Sequence, residues 1–111
     1  MGKGEYLGEF EQLVLLALIR LNDNAYGMTI RQLIQERTDR RVSIGQVYAA
    51  LERLEAKGYL ASRVADPEPI RGGRSKKLFA LTDDGDSALA LARGTMAKMA
   101  EGLELGDPEV A

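Results

Sequence analysis

Apolar residues recur at helical spacing in four segments of this chain, at about 8–21, 29–37, 43–57 and 83–103. Steps of three and four residues place apolar side chains on one face of a helix, so each segment predicts a helix. The first segment differs from the others because it is apolar on more than one face. Such a helix has to be covered on most sides, and we therefore expect it to meet a partner surface as well as its own core.

The third segment has the clearest boundaries. Ser43 and Gln46 fit a capping box, in which the serine hydroxyl and the glutamine side chain each bond the other residue's backbone amide. Gly58 follows as the glycine just past the helix end. Thr29 and Thr82 are the predicted N-caps of the second and fourth helices. The core stripe of the third segment is Ile44, Val47, Leu51 and Leu54.

Between the third and fourth helices, two short runs at 60–65 and 76–81 are typical of strands. Two prolines and the pair Gly72-Gly73 lie between them and cannot continue either strand, so we predict a long β-hairpin. The element order predicts an α+β fold that is mainly α with a small β-hairpin. Specifically, it predicts a winged helix-turn-helix domain over 1–82, a C-terminal dimerisation helix over 83–105 and a disordered tail over 106–111.

Composition narrows the function classes. The chain has 111 residues and contains neither cysteine nor histidine, which removes thiol chemistry, cysteine-ligated zinc and the commonest general base. No metal-ligand spacing or phosphate-binding loop between a strand and a helix is present, so we expect no enzyme and no cofactor. The longest apolar run, at 13–19, is too short to span a bilayer. We expect a cytoplasmic protein with no membrane contact.

Charge is unevenly distributed along the chain. The formal net charge is -2, yet residues 31–77 carry eleven Lys and Arg against six Asp and Glu. A basic middle between acidic ends fits a domain with one surface that faces a polyanion such as double-stranded DNA. A solvated charged surface is the alternative explanation.

The predicted hairpin loop holds the densest cationic cluster. Arg71, Arg74, Lys76 and Lys77 are candidates for contacts with phosphates or the minor groove. Gly72 and Gly73 allow the loop to bend and its backbone to approach DNA closely. Four cations within seven residues of an acidic protein favour DNA binding over a merely solvated loop tip.

The outward face of the third helix is the candidate for contact with bases. Ala49 is small, which lets the helix lie close in a major groove, and Gln46 can pair with adenine. Gln46 can equally be occupied by the capping box, and both roles stay open. Arg53 can reach guanine or phosphate, and Ser43 can both cap the helix and meet a phosphate at the helix N-terminus.

The fourth helix carries an apolar stripe with alternating steps of three and four residues: Leu89, Ala92, Met96, Met99 and Leu103. This spacing is a heptad seam over about two repeats. It could pack on its own domain, but the third helix and the hairpin already close that core. We therefore favour a seam between two copies of the chain.

The order of the motifs resembles the PadR family of bacterial transcriptional regulators. The matching segments are 7–11, the Ala25-Tyr26-Gly27 element, VSIGQVYAALERLEAKGYL at 42–60, Gly72-Gly73-Arg74, and LFALTDDG at 78–85. The resemblance covers nearly the whole chain. A single helix after the wing makes the chain similar to the short-tailed branch of that family.

The resemblance implies a homodimeric winged-helix repressor that binds a palindromic operator. It also implies release of DNA by a small hydrophobic effector, and a C-terminal helix packed against the partner's first helix through Phe10, Val14 and Leu18. Tyr48 can close the edge of the core or bond a phosphate through its hydroxyl, and the resemblance favours the phosphate. Tyr26 has the same two interpretations. A winged-helix module that binds protein and not DNA is the main alternative function, although such a module would not need a cationic wing.

Overall fold

The computed structural model describes residues 6–65 and 76–106. Four α-helices and one antiparallel hairpin make up this part of the chain, which confirms the predicted fold class. The helices are α1 (Glu9–Leu21), α2 (Gly27–Thr38), α3 (Ile44–Ala56) and α4 (Asp83–Ala100), with one 3-10 turn at Asn22–Asn24. The strands are β1 (Leu60–Val64) and β2 (Lys77–Leu81).

The caps of α3 and α4 follow the sequence signals. Ser43 Oγ accepts the N–H of Gln46 at 3.0 Å, and Gln46 Oε1 accepts the N–H of Ser43 at 3.0 Å, so the predicted capping box is confirmed. Thr82 Oγ1 accepts the N–H of Gly85 at 3.0 Å at the start of α4. Gly58 has a φ of +83° just past α3, a left-handed conformation that glycine adopts without steric cost.

Two predicted helix ends are wrong. The second helix begins at Gly27 instead of after Thr29, because Thr29 Oγ1 accepts the N–H of Tyr26 at 3.0 Å and so caps the first turn from inside. The fourth helix ends at Ala100, since Gly102 takes a left-handed φ of +82°. Leu103, the last predicted seam residue, therefore lies beyond the helix.

The hairpin is tied to the start of α2 by one backbone hydrogen bond. The N–H of Phe79 donates to the carbonyl of Ala25 at 2.9 Å, and both side chains are buried. Within the hairpin, Leu60 pairs with Leu81 and Val64 with Lys77, and the N–H of Ala65 continues the ladder to the Lys76 carbonyl. The predicted loop between the strands lies outside the described residues except for its ends.

The core lies between α1, α2, α3 and the hairpin. Its fully buried large side chains are Val14, Leu15, Ile30, Val47, Leu51 and Leu54. Three of the four predicted α3 stripe residues are among them, and the fourth, Ile44, packs partly buried against the cluster. Helix α1 is covered mainly by its own protomer, which explains its apolar residues on several faces.

Helix α4 joins this core only through its first two turns, where Gly85 and Leu89 are buried. Further along, Met96 and Met99 are 67% and 77% exposed on the face that carries Leu89, and Leu91 is 70% exposed off that face. The C-terminal half of α4 thus presents an apolar surface that its own protomer does not cover.

Gly85 fixes the approach of α4 to the hairpin. A Cβ at this position would collide with the backbone carbonyl of Tyr59, which cannot swing away as a side chain can. We expect Gly85→Ala to lower the free energy of unfolding by about 1–3 kcal/mol. The matched control is Gly94→Ala, where an added Cβ meets nothing within 4 Å. Thermal unfolding followed by circular dichroism measures both, and equal melting temperatures would contradict the predicted clash.

Candidate nucleic-acid interface

One face of α3 is open to solvent over its whole length. The residues on this face are Gly45, Gln46, Ala49, Glu52, Arg53 and Ala56, and all are exposed. Gly45 and Ala49 place no bulky side chain near the N-terminal half, whereas Glu52 adds a negative charge nearer the C-terminal half. The N-terminal half is therefore the part best suited to lie in a major groove.

The structure gives Gln46 the capping role, and this role leaves part of the side chain available. Its Oε1 is engaged by the Ser43 N–H, but its Nε2 makes no hydrogen bond to the described residues. A side-chain amide held by one oxygen projects its two N–H donors in a fixed direction. Cap and base contact are thus geometrically compatible in Gln46.

Three arginines line an open groove beside the N-terminus of α3. The groove has a volume of about 680 Å³ and is bordered by Arg31, Arg40, Arg41, Ser43 and Gln46, with Gln35, Asp39 and Val42 completing it. Arg31 Nε donates to the Val42 carbonyl at 2.8 Å, and Arg40 pairs with Glu9 at 3.0 Å. Arg41 is exposed and has no partner among the described residues.

Sequence reasoning missed these arginines. None of the three was singled out from the sequence, although the adjacent pair Arg40-Arg41 just before the capping box of α3 was a usable signal. Arg31 could not be found in this way, because its partner Val42, like Ser43 and Gln46 of the groove, is eleven or more residues away along the chain.

The start of α2 brings together three further candidates. Tyr26 is half-buried, and Lys76 Nζ lies 4.5 Å from the centroid of its ring, within the range of a cation–π contact. Tyr48, from α3, is 48% exposed and its ring lies against Gly27. Lys77 projects instead over the ring of Phe79, at 5.8 Å.

The remaining predicted wing residues cannot be placed. Arg71, Gly72, Gly73 and Arg74 lie outside the described residues. Their assignment as DNA contacts stays a prediction from the sequence. Lys76 and Lys77 are the wing cations whose positions the structure gives.

Arg53 is directed towards α1. Its Nε donates to Glu11 Oε2 at 3.0 Å, while about half of its side chain stays exposed. This ion pair gives Arg53 a structural partner that the sequence analysis did not foresee. A contact with DNA through the rest of the guanidinium stays a prediction.

Glu11 is the buried acceptor that joins α1 to α3. It accepts the N–H of Gly8 at 2.9 Å, Arg53 Nε at 3.0 Å and Lys57 Nζ at 3.2 Å. Burial by itself would raise the pKa of this carboxyl. The Gly8 N–H together with the Arg53 and Lys57 side chains outweighs that effect, so the pKa lies below its usual range.

The predicted dimer residues fall into two groups. Met96 and Met99 are exposed on α4, Ala92 and Phe10 are half-buried, and Leu103 is exposed beyond the helix end. Val14, Leu18 and Leu89 are buried inside the protomer's own core, so they cannot meet a partner without opening it. The exposed apolar side chains of α1 are Leu16 and Ile19 instead.

No helix in 6–65 or 76–106 is long and apolar enough to cross a membrane. The same ranges contain no cluster of acidic residues that could hold a metal ion.

A sequence model of the transcriptional regulator PadR-like family matches residues 15–91, which is more than half of the chain. The match begins within α1 and ends within α4, so it includes both strands and the whole of α3. Among curated proteins, none matches this chain significantly.

Solved structures of regulators are similar over most of the chain. A PadR family transcription regulator from Clostridium difficile gives a TM-score of 0.69 at 26% identity, covering 85% of this chain and 92% of that one. A PadR-like transcription factor from Bacteroides fragilis gives 0.72 at 24%, covering 92% and 89%. A PadR family transcriptional regulator from Eggerthella lenta gives 0.67 at 25%, covering 86% and 82%. These similarities confirm the winged-helix fold.

The lowered pKa of Glu11 predicts a pH dependence of stability. A carboxyl whose pKa is depressed in the folded state stabilises the protein above its unfolded pKa, here about 4.5, and this contribution is lost as pH falls through the folded pKa. Glu11→Gln keeps an oxygen for the Gly8 N–H but loses the charge. We expect this variant to be less stable by about 1–2 kcal/mol at neutral pH, a modest value because Arg53 is half exposed.

Urea unfolding between pH 7 and pH 3 measures this difference, which should narrow below about pH 4.5. The matched control is Glu52→Gln, which removes an exposed carboxylate of α3 and should give a stability curve parallel to that of the wild type. A gap for Glu11→Gln that stays constant down to pH 3 would show that the charge of Glu11 does not stabilise the fold.

Proposed function

Because this chain belongs to the PadR-like family of transcriptional regulators, we propose that it is a repressor that binds a palindromic operator as a homodimer. The coarser conclusion, a winged-helix DNA-binding regulator, follows from the family match and from similar structures that are transcription regulators. The repressor role, the operator symmetry and the dimer are the proposed part.

The observation that carries the proposal is the arrangement around the N-terminus of α3. A slender, exposed helix face is bordered by the arginine groove. Tyr48 of the same helix lies against Gly27, the residue next to the pair formed by Tyr26 and Lys76. Cations that flank a slender helix face match the needs of major-groove binding, because phosphates lie on both sides of the groove.

The arrangement supports separate roles for side chains that contact bases and side chains that contact phosphates. Gln46 is the candidate for base contact, since its amide N–H groups project from a fixed cap. Arg41, Lys76 and Ser43 are candidates for phosphate contact, which positions the protein but carries no sequence information directly. The unplaced Arg71 and Arg74 would add to the phosphate contacts from the wing loop.

The exposed half of α4 supports the proposed dimer. Ala92, Met96 and Met99 continue the stripe of Leu89 beyond the point where the protomer's core ends. A second copy would cover these side chains, and the exposed apolar residues of α1, Leu16 and Ile19, are candidates for the other side of the contact. A two-fold dimer presents two α3 helices and so fits half-sites about 10 base pairs apart, or one turn of DNA.

A small hydrophobic effector is part of the same proposal. Methionine side chains adapt to ligands of different shapes, and Met96 and Met99 lie where two copies would meet. A ligand seated there would change the spacing of the two α3 helices, and thereby the affinity for the operator.

Arg41 provides a direct test of phosphate contact. We expect Arg41→Ala to weaken binding to all duplex sequences similarly and to reduce the slope of log affinity against log salt by about 1 per protomer. Fluorescence anisotropy at several salt concentrations measures this, with a duplex selected by the protein from a random library and with an unselected duplex. Arg93→Ala removes the same charge from α4 and is the matched control.

The arginine groove would be excluded from the interface if Arg41→Ala and Arg93→Ala had equal effects. The alternative function is a winged-helix module that binds protein and not DNA. It would be favoured if random-sequence duplex DNA did not retain the wild-type protein at low salt.

The proposed seam predicts the effect of charges on α4. Met96→Glu combined with Met99→Glu should convert the dimer to a monomer, because four carboxylates would be buried where the two helices meet. Helical content should stay unchanged, since both side chains are largely exposed in the protomer. Sedimentation velocity measures the mass, and Leu91→Glu is the matched control, being exposed on α4 but off the stripe. Dissociation by Leu91→Glu and not by the double variant would place the interface on another face.

A further inference from the structure

Two adjacent residues at the start of α2 touch both of the elements proposed to contact DNA. The ring of Tyr26 lies beneath Lys76 Nζ, 4.5 Å from the ring centroid. Gly27 lies against the ring of Tyr48, which projects from α3. The Tyr26-Gly27 dipeptide therefore lies between the hairpin and α3, which we call the recognition helix because it is proposed to contact bases.

Gly27 is needed for space and not for backbone conformation. The described glycines with positive φ are Gly58 and Gly102, whereas Gly27 is the first helical residue of α2. A Cβ on Gly27 would overlap the hydroxyl and Cζ of Tyr48 and would lie 2.9 Å from its Cε1. Glycine is a poorer helix former than alanine, so the room it leaves for this ring explains its presence.

The contact restricts Tyr48 more than its exposure suggests. A half-exposed tyrosine on a helix surface would ordinarily sample several orientations. Here the ring lies on the backbone of α2, so its hydroxyl is held beside the first turn of that helix, where backbone N–H groups lack helical partners. The backbone of α2 thus limits the orientations of the ring before any phosphate arrives.

Lys76 makes the equivalent contact from the hairpin. Its carbonyl accepts the N–H of Ala65 at 2.8 Å, so its backbone belongs to the base of the wing. Its side chain extends back over Tyr26, and the ring restrains the ammonium group. This contact adds to the backbone hydrogen bond from Phe79 to Ala25, which ties the hairpin to the turn before α2.

We propose that Tyr26 and Gly27 form a joint that positions two side chains for contact with DNA, with Gly27 positioning Tyr48 of α3 and Tyr26 positioning Lys76 at the base of the wing. Both are positioning residues, because each acts through another side chain. This role rests on the proposed DNA-binding function. It is separate from core packing, because Tyr48 and Lys76 are exposed and the buried cluster closes without them.

A double-mutant cycle on DNA affinity tests the first half of the joint. We expect Gly27→Ala to weaken binding to the library-selected duplex roughly tenfold, Tyr48→Ala to weaken it similarly, and the double variant to bind no worse than Tyr48→Ala alone. The reason is that an added Cβ does harm only while the ring is present. Gly94→Ala is the matched glycine control and should bind as the wild type does.

Folding is measured on the same samples by thermal unfolding. If Gly27→Ala alone does not fold, the joint predicts that Tyr48→Ala rescues folding in the double variant, and failure of rescue would overturn it. Full affinity in a folded Gly27→Ala variant would also overturn it, as would a double variant whose loss is the product of the two single losses.

The second half is tested with Tyr26→Phe, Tyr26→Leu and Lys76→Ala. The phenylalanine variant keeps the ring and should retain most of the affinity, whereas Tyr26→Leu should weaken binding and reduce the effect of adding Lys76→Ala. Equal losses in Tyr26→Phe and Tyr26→Leu would assign the role to the hydroxyl and overturn ring positioning. A wild-type protein that binds no duplex overturns the proposed function itself, whereas binding with independent effects in both cycles overturns only the joint.

Discussion

The backbone hydrogen bond from Phe79 to Ala25 determines where the hairpin lies. It joins the middle of β2 to the turn that precedes α2, and the two buried side chains exclude water from it. Three residues before Phe79 the chain reaches Lys76, and one residue after Ala25 it reaches Tyr26. The bond therefore brings Lys76 and Tyr26 close enough for their cation–π contact.

Two other sets of contacts hold α3 in place relative to α1 and α2. Its apolar stripe is buried between α1 and α2, which leaves the opposite face outward. Glu11 then ties its C-terminal part to the start of α1 through Arg53 and Lys57, two cations that would otherwise repel each other. The carboxylate stays charged despite its burial because three donors surround it. The recognition helix is therefore capped at its N-terminus by Ser43 and Gln46, and this cluster holds it to α1 near its C-terminus.

Local signals in the sequence predicted the helices and strands well, but they could not predict contacts between segments that are distant along the chain. The start of α3 is marked by Ser43 and Gln46, which are only three residues apart. Its end is marked by Gly58, which lies just past the helix. Thr29 misled the same reasoning, because a threonine at the third helical position can cap from inside the helix. Gly102 gave a usable stop signal for α4 that was overlooked.

The candidate site was predictable only in part for the same reason. Gln46, Ala49 and Lys76 follow from position within or beside a predicted element. Arg31 joins the groove only because α2 and α3 cross there, and Arg53 meets Glu11 across 42 residues of chain. The sequence could not show whether Val14 and Leu18 are buried in their own protomer or by a partner. Periodicity identifies an apolar face without identifying what covers it.

The incomplete burial of α4 bears on how the protein would respond to its own abundance. The core closes within a single protomer, so folding does not have to wait for a second copy. If two copies then join through the exposed methionines, the protein is an inactive monomer when scarce and an active dimer when plentiful. Below the dimer dissociation constant, the amount of dimer rises with the square of total protein, and occupancy of the operator would rise equally steeply.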